Sequence, residues 1–393
     1  MSYRVNPLFS AVAPPPIAEA WSWIAGRSFP DDKPLIDLAQ AEPSYPPAPA
    51  LLDHLADIIH CPEMSRYTGI QGTPDLRSAF AAHLGNFYGA DVAATDVSIT
   101  AGCNQAFCLS LMALAGAGDE VILPEPFYFN HDMWLNMLGV RAVPLSFQAT
   151  QGGVPDVEEA AQKITPRTRA IVLVSPNNPT GAIYPPETLR RFFDLACARG
   201  IALVVDETYK DFLSTEDAPH SLLQEPEWPA TLIQLFSFSK VYAITGHRVG
   251  GLVAGPQISA EIAKAMDCAA ICAPAIGQAA ALFGLQNLDR WKQEKRRLSL
   301  ARLAALHRAM ARNDLNYRVV SAGAFFAYMC HPHDGKSASD VARRLADEQN
   351  MLCLPGTFFG PDQESYLRFS FANVEADRMD EIAARLVASQ DEF

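Results

Sequence analysis

Between residues 95 and 255 the chain repeats one pattern: a short apolar run, a turn, then a longer stretch with helical spacing. The runs cover 97–100, 120–123, 141–147, 170–174, 201–205, 231–236 and 249–254, and most show little period-two alternation. A strand that is apolar on both faces must be covered on both, which calls for a mainly parallel sheet flanked by helices. In such sheets ligands bind beyond the carboxyl ends of the strands, so the informative residues are those directly after each run.

A chain of 393 residues can hold two domains, and 49% hydrophobic with 19% charged residues is ordinary globular composition. The net charge of −13 argues against a nucleic-acid partner but leaves room for a small anionic ligand held by local positive groups. The eight cysteines include no C-x-x-C pair. With no signal-peptide pattern at the start, this points to reduced thiols and a cytoplasmic location. Cys268 and Cys272 read as two small apolar residues on one helix face. The charge-free run 268–288 approaches membrane-spanning length, but Pro274, Gly277, Gln278, Gly284, Gln286 and Asn287 interrupt it. It reads as a buried helix or interface segment, with no membrane involved.

The chain is read as three parts, the composition changing at Asp289. Residues 1–47 form an N-terminal arm and the start of a smaller domain, with a short strand over 35–39. Residues 48–289 form the large domain. Residues 290–393 form a C-terminal small α/β domain, opening on a long charged helix over 290–311. Helices are expected over 50–59 and 75–88, with the glycine-bearing loop Arg66-Tyr67-Thr68-Gly69-Ile70-Gln71-Gly72 between them. After the long helix come strands over 317–320, 324–330, 351–354 and 366–371, a helix over 337–349 and a last helix ending near 389.

The strand ends carry the chemistry. Ala101-Gly102-Cys103-Asn104 puts a glycine at a strand-to-helix turn, where free amides and a positive helix end suit an anion. Phe127-Tyr128-Phe129 offers aromatics that either stack on a planar ring or pack the core. Ser175-Pro176-Asn177-Asn178-Pro179-Thr180-Gly181 aims amide side chains at the same edge. Asp206 ends an all-apolar strand and needs a partner, which a cationic ring nitrogen would supply. Ser237-Phe238-Ser239-Lys240 ends another, with Arg248 further on: either a solvated basic loop, or a reactive amine beside hydroxyls and a guanidinium that suit a phosphate. Arg368, inside the strand Tyr366-Leu367-Arg368-Phe369-Ser370-Phe371, meets an anionic ligand or makes a structural salt bridge.

Other signals are weaker. His331 and His333 read as a polar loop rather than a metal site. Gly335-Lys336-Ser337 resembles the tail of a phosphate-binding loop, but Cys330 stands where its first glycine belongs. There is no G-x-G-x-x-G after an early strand, so the nicotinamide and flavin fingerprint is absent.

An amine, a buried carboxylate, a stacking aromatic, phenol and amide donors and a phosphate cradle together match pyridoxal 5′-phosphate. Through Asn178-Pro179-Thr180-Gly181, Asp206-Glu207-Thr208-Tyr209 and residues 237–248, nearly the whole chain resembles the class I/II aminotransferases, fold-type I enzymes of the aspartate aminotransferase superfamily. The resemblance implies that Lys240 forms the Schiff base and shuttles the proton, and that Asp206 pairs with the pyridine nitrogen and ionises readily beside it. It implies that Tyr209 and Asn178 bond the phenolic oxygen, and that Tyr128 stacks on the ring. The phosphate falls to Ser237, Ser239 and Arg248 and to the amides of Gly102, Cys103 and Asn104. Tyr67 reaches it from the other subunit of a homodimer, and Arg368 clamps the substrate carboxylate.

The implied reaction is ping-pong transamination between an L-amino acid and a 2-oxo acid. A C–S β-lyase on the same scaffold is the alternative, and a non-enzymatic cofactor-binding regulator is disfavoured by the short N-terminal segment and acidic charge. Two positions depart from the family pattern: Ala41, where many relatives have glycine, and His247, where tryptophan is frequent. The first bears on substrate fit.

Overall fold

The computed structural model describes residues 3–390. Its main sheet comprises β2 (Val97–Thr100), β3 (Glu120–Pro124), β4 (Arg141–Leu145), β5 (Thr168–Val174), β6 (Ala202–Asp206), β7 (Leu232–Ser237) and β8 (Gly250–Ala254), after the two-residue β1 (Ile36–Asp37). The spatial order is β2-β8-β7-β6-β5-β3-β4, and only β8 runs against its neighbours. The expected mainly parallel sheet is therefore present.

The missing alternation has a direct cause. Ile171 and Leu173 point into one apolar layer with Leu203, Val205, Phe192 and Phe193. Ala170 and Val172 point into the opposite layer with Val204, Phe107, Leu135 and Ile262. Successive side chains enter two different cores, so every position is apolar. Helices Pro74–Tyr88 and Pro186–Arg199 cover the first face, while Cys103–Leu114 and Pro256–Ala270 cover the second.

The remaining strands are β9 (Arg318–Gly323), β10 (Phe326–Cys330), β11 (Met351–Leu352), β12 (Leu354–Pro355) and β13 (Tyr366–Ser370). Four of them form an antiparallel sheet in the order β12-β13-β10-β9, packed on helices Ala338–Gln349 and Met379–Ala388. The 22-residue helix Asp289–Met310 carries Trp291 against the first core at one end and Leu306 in the C-terminal core at the other. At 1.5 Å per residue it spans about 33 Å, enough to join the two.

Three expectations need correction. The strand over 35–39 shrinks to β1, because the Asp37 carboxylate takes the Ala39 and Gln40 amides (2.8 and 3.2 Å) and turns the chain. The strand over 351–354 is two: β11 pairs with β1, and β12 with β13. The run 268–288 is not one helix, since Pro256–Ala270 stops before Ile271 (φ +62°) and Ala275–Asn287 starts after Pro274. Cys268 is thus exposed on the first helix while Cys272 lies in the break. Among the described residues no helix is long and apolar enough to cross a membrane.

The Asn178-Pro179-Thr180-Gly181 turn presses on the antiparallel sheet. Gly181 has φ +72°, and a Cβ there would stand 2.5 Å from the Gly323 nitrogen and collide with the Phe326 carbonyl. Gly181→Ala combines left-handed strain with a backbone clash and is expected to destabilise the protein by about 2 kcal/mol or more. Urea unfolding would show this as a lower midpoint, and an unchanged midpoint would contradict the packing argument.

Candidate active site

The carboxyl ends of β2, β3, β5, β6 and β7, with the start of β8, surround a cavity of about 290 Å³. Its remaining wall comes from Ile17, from Gln40, Ala41 and Glu42, and from Arg368 on β13. Both ends of the chain therefore close over the sheet edge.

Lys240 lies on the single helical turn Phe238–Val241 that follows β7, where Ser237 Oγ accepts from the Ser239 amide at 3.2 Å. Its Nζ donates to the Ala41 carbonyl at 2.6 Å. Burial pulls its pKa down to about 8, with Glu42 opposing and Arg248 and Arg368 reinforcing the fall. This is a half-buried amine facing the cavity rather than a solvated basic loop.

Asp206 ends β6 beneath the same cavity, and its Oδ1 accepts from the Thr208 amide at 2.9 Å. Burial raises its pKa, while hydrogen bonds from Thr208 and Cys103 oppose the rise. His131 Nε2 sits 3.6 Å from Asp206 Oδ2. Burial lowers the His131 pKa to about 3, so the ring is neutral and the contact is not an ion pair. The imidazole stacks on Phe107 at 3.9 Å, and its Nδ1 has no partner.

Arg248 adopts φ +50° and anchors Nη1 on the Thr245 carbonyl at 2.8 Å. Its guanidinium lies against Gly102 (φ +87°), where any Cβ would collide with it. Gly102 caps the 12-residue helix Cys103–Leu114, so the guanidinium and the positive helix end share one corner with Ser237 and Ser239. Gly250 allows the same closeness, since a Cβ there would stand 2.6 Å from the Cys103 nitrogen.

Arg368 is 1% exposed, between the rings of Phe326 (5.2 Å) and Phe359 (5.3 Å). Its hydrogen bonds go to the Ala39 carbonyl and to Asn178 Oδ1 (3.4 Å), not to a carboxylate, and its Nε has no partner. Burial lowers its pKa to about 10. Asn178 faces the cavity, whereas Asn177 holds the turn by accepting from the Thr180 amide (3.0 Å) and donating to the Tyr184 hydroxyl (3.1 Å). Tyr209 packs against Phe325 and Phe326, and burial pushes its phenol pKa up. Tyr128 starts the helix Phe129–Leu138 and lines the cavity, its pKa also raised by burial.

All the sequence-derived candidates line this cavity except two: Gly102, which abuts it through Arg248, and Tyr67, which is 77% exposed in its loop outside the wall. Sequence reasoning missed His131 and Ile17 and gave Thr208 no role of its own, whereas Phe129 was among the aromatics offered for stacking and is found in the wall. His131 was discoverable, being one helical turn after Tyr128. His331 Nε2 donates to the Glu364 carbonyl (2.8 Å) and its Nδ1 accepts from the His333 amide (3.3 Å), and no metal-binding cluster occurs among the described residues. Ser337, the end of the phosphate-loop lookalike, caps helix Ala338–Gln349 by accepting from the Asp340 amide at 3.1 Å.

Residues 33–386 match the family model described as aminotransferase class I and II. An aspartate aminotransferase of Pyrococcus horikoshii is 30% identical over 78% of this chain and 79% of its own length. The aromatic aminotransferase ISS1 of Arabidopsis thaliana is 28% identical over 89% and 88%. Among solved structures, an aminotransferase from Mycobacterium tuberculosis superposes with a TM-score of 0.90 at 24% identity, over 98% of this chain and 99% of that one. The aspartate aminotransferase of Thermus thermophilus with maleate gives 0.89 at 24% identity, over 99% and 100%. Similarity at that level speaks to the fold, which is the fold-type I architecture. With the family match running from before β1 into the helix Met379–Ala388, and a lysine, a buried carboxylate and two arginines meeting in one cavity, this chain belongs to the class I and II aminotransferases.

Proposed function

We propose that this chain is a pyridoxal 5′-phosphate-dependent aminotransferase that moves the amino group of an L-amino acid to a 2-oxo acid in two half-reactions at one site. The observation carrying this reading is a half-buried lysine with a depressed pKa sharing a cavity with a buried carboxylate that has no cationic partner. The donor set fits the cofactor. At the corner of Gly102 and Arg248 the Gly102 amide, expected to bind phosphate, is instead spent on the Thr100 carbonyl (2.8 Å), so the first-turn amides of Cys103 and Asn104 and the guanidinium are what it offers a phosphate. Asp206 lacks a cationic partner, as a carboxylate awaiting a ring N–H would.

When bound, pyridoxal phosphate supplies an aldehyde for amine exchange and a ring that takes up the electrons left at the substrate Cα. Lys240 is its attachment point; once released, the same amine takes the Cα proton and holds it at Nζ. Asp206 keeps the proton on the ring nitrogen, and His131 and the Thr208 amide keep Asp206 oriented. Tyr209, whose raised pKa keeps its hydroxyl protonated, donates with Asn178 to the phenolic oxygen. Arg368 presents two N–H groups to the substrate carboxylate. Ile17 and residues 40–42 exclude water from the reacting amine.

The exposed Tyr67 suits a homodimer in which it completes the partner's phosphate site. The division at residues 47 and 289 is proposed as the domain organisation, with the long helix as the link. Eight unpaired cysteines suit a reducing, cytoplasmic setting.

Wild-type protein incubated with pyridoxal phosphate is expected to hold a visible absorption band through gel filtration. Lys240→Ala is expected to lose borohydride-trappable attachment and at least about 100-fold in transamination. A variant that keeps both would overturn the assignment of Lys240. The pH dependence is set by the same amine. Its nucleophilic form is the neutral one, so covalent uptake of cofactor by cofactor-free protein should climb as pH rises through about 8 and level off above. A flat stopped-flow profile across that range would exclude Lys240 as the titrating nucleophile.

A further inference from the structure

We infer that Glu207 is a positioning residue for the reaction: its buried carboxylate pins the turn that aims Asp206 at the cofactor's ring nitrogen. This rests on the aminotransferase reading and deepens it. Asp206 and Glu207 leave β6 toward opposite faces of the sheet. Asp206 lines the cavity, whereas Glu207 enters the first apolar layer under the end of helix Pro74–Tyr88. Three donors converge on it there. The Tyr88 hydroxyl donates to Oε2 at 2.6 Å, and the Gln234 amide of β7 donates to the same oxygen. His220 Nε2 lies 3.2 Å from Oε1. Because His220 Nδ1 accepts from the Leu222 amide (3.2 Å), the ring hydrogen falls to Nε2, facing the carboxylate. Burial, and then the Glu207 charge, push the Tyr88 phenol pKa up, so that hydroxyl stays a donor.

Glu207, Tyr88, His220 and Gln234 are each at most 4% exposed within one protomer, so a second subunit adds no group to the cluster. Packed apolar side chains would stabilise such a layer as well as a buried charge does. What the carboxylate adds is direction, in the turn that Asp206 depends on. Glu207 is the middle residue of Asp206-Glu207-Thr208, in which the Thr208 amide donates to Asp206 Oδ1 at 2.9 Å. Its own amide donates to the Leu235 carbonyl (2.9 Å), and its carbonyl accepts from the Lys210 amide (3.1 Å). With backbone and side chain both held, the turn cannot rotate at Glu207, and the Thr208 amide stays where it orients Asp206.

The test compares the affinities of two ligands for cofactor-free protein by equilibrium dialysis. One is pyridoxamine 5′-phosphate, which has no aldehyde and binds without a covalent bond. The other is its 1-deaza analogue, in which C–H replaces the ring nitrogen. Wild-type protein should prefer the first, because only that ring offers Asp206 an N–H. Glu207→Gln keeps the side-chain shape but loses the charge and one acceptor oxygen, and should cut the preference about tenfold. Tyr88→Phe removes a single donor and should cut it about threefold. A merely structural cluster would weaken both ligands alike, and an unchanged ratio in the variants would overturn the inference. Should Glu207→Gln fail to fold, the ratio in Tyr88→Phe decides alone. A wild type that binds both ligands equally would overturn the role of Asp206 and this inference with it, leaving Lys240 as attachment point intact. Binding of neither ligand would overturn the cofactor reading as well.

Discussion

Three ionisable groups, Asp206 and Arg368 buried and Lys240 half-buried, meet in one cavity with no charge of opposite sign hydrogen-bonded to any of them. Lys240 meets a carbonyl, Asp206 an amide and a neutral imidazole, and Arg368 a carbonyl and an amide oxygen. Desolvation shows in each pKa: the amine and the guanidinium are lowered, and the carboxyl is raised. Such groups survive only where the surrounding structure is rigid enough to forbid their escape to water. The sheet supplies that rigidity, because β5, β6 and β7 are packed on both faces and their ends cannot shift singly.

The upper wall depends on the C-terminal sheet. Residues 37–44 carry Ala41 onto Lys240, and almost every bond holding them comes from residues beyond 300. The Ser370 amide donates to the Leu38 carbonyl (2.7 Å), Arg368 to Ala39, Asn373 to Gln40, and Arg302 to Ser44 Oγ (2.8 Å). A change that loosened β13 would therefore reach the lysine through this strap, although no residue of β13 touches it by a hydrogen bond. Arg368 joins the two roles, since the guanidinium facing the cavity also fixes the strap at Ala39.

The sequence made the sheet and its polar edge readable because both follow from local rules. Apolar runs without alternation mean two covered faces, and ionisable residues at their ends mean a site. Lys240, Asp206, Asn178, Tyr209 and Arg248 all sit within a few residues of a strand terminus, where that logic applies. It failed where contact is made across long sequence separation. Nothing near Ala41 announces that its carbonyl meets an amine 199 residues away, and Ile17 belongs to an arm whose seat combines Phe129 with Ala346, Leu352, Leu354 and Phe359. It also failed where side chains compete with the backbone, as when Asp37 ended β1 early. Hydropathy could not divide 268–288 either, because a left-handed Ile271 and a proline break a helix without changing how apolar the run is.

The depressed lysine and the raised aspartate also act on stability, each through the charged form that burial disfavours. Lys240, with a folded pKa near 8, favours the fold only where its amine is neutral, and that contribution is lost as pH falls through about 8. Asp206 is the mirror case: raised by burial, it favours the fold when protonated and loses that contribution as pH rises through its folded pKa. Around pH 7 the amine is mostly protonated and opposes folding, as the Asp206 carboxyl does wherever it is charged. A ligand that turns the amine into part of a neutral linkage and offers the carboxylate an N–H relieves both penalties with one binding event. The chemistry that makes the cavity reactive is therefore also what couples its occupancy to the stability of the sheet edge beneath it.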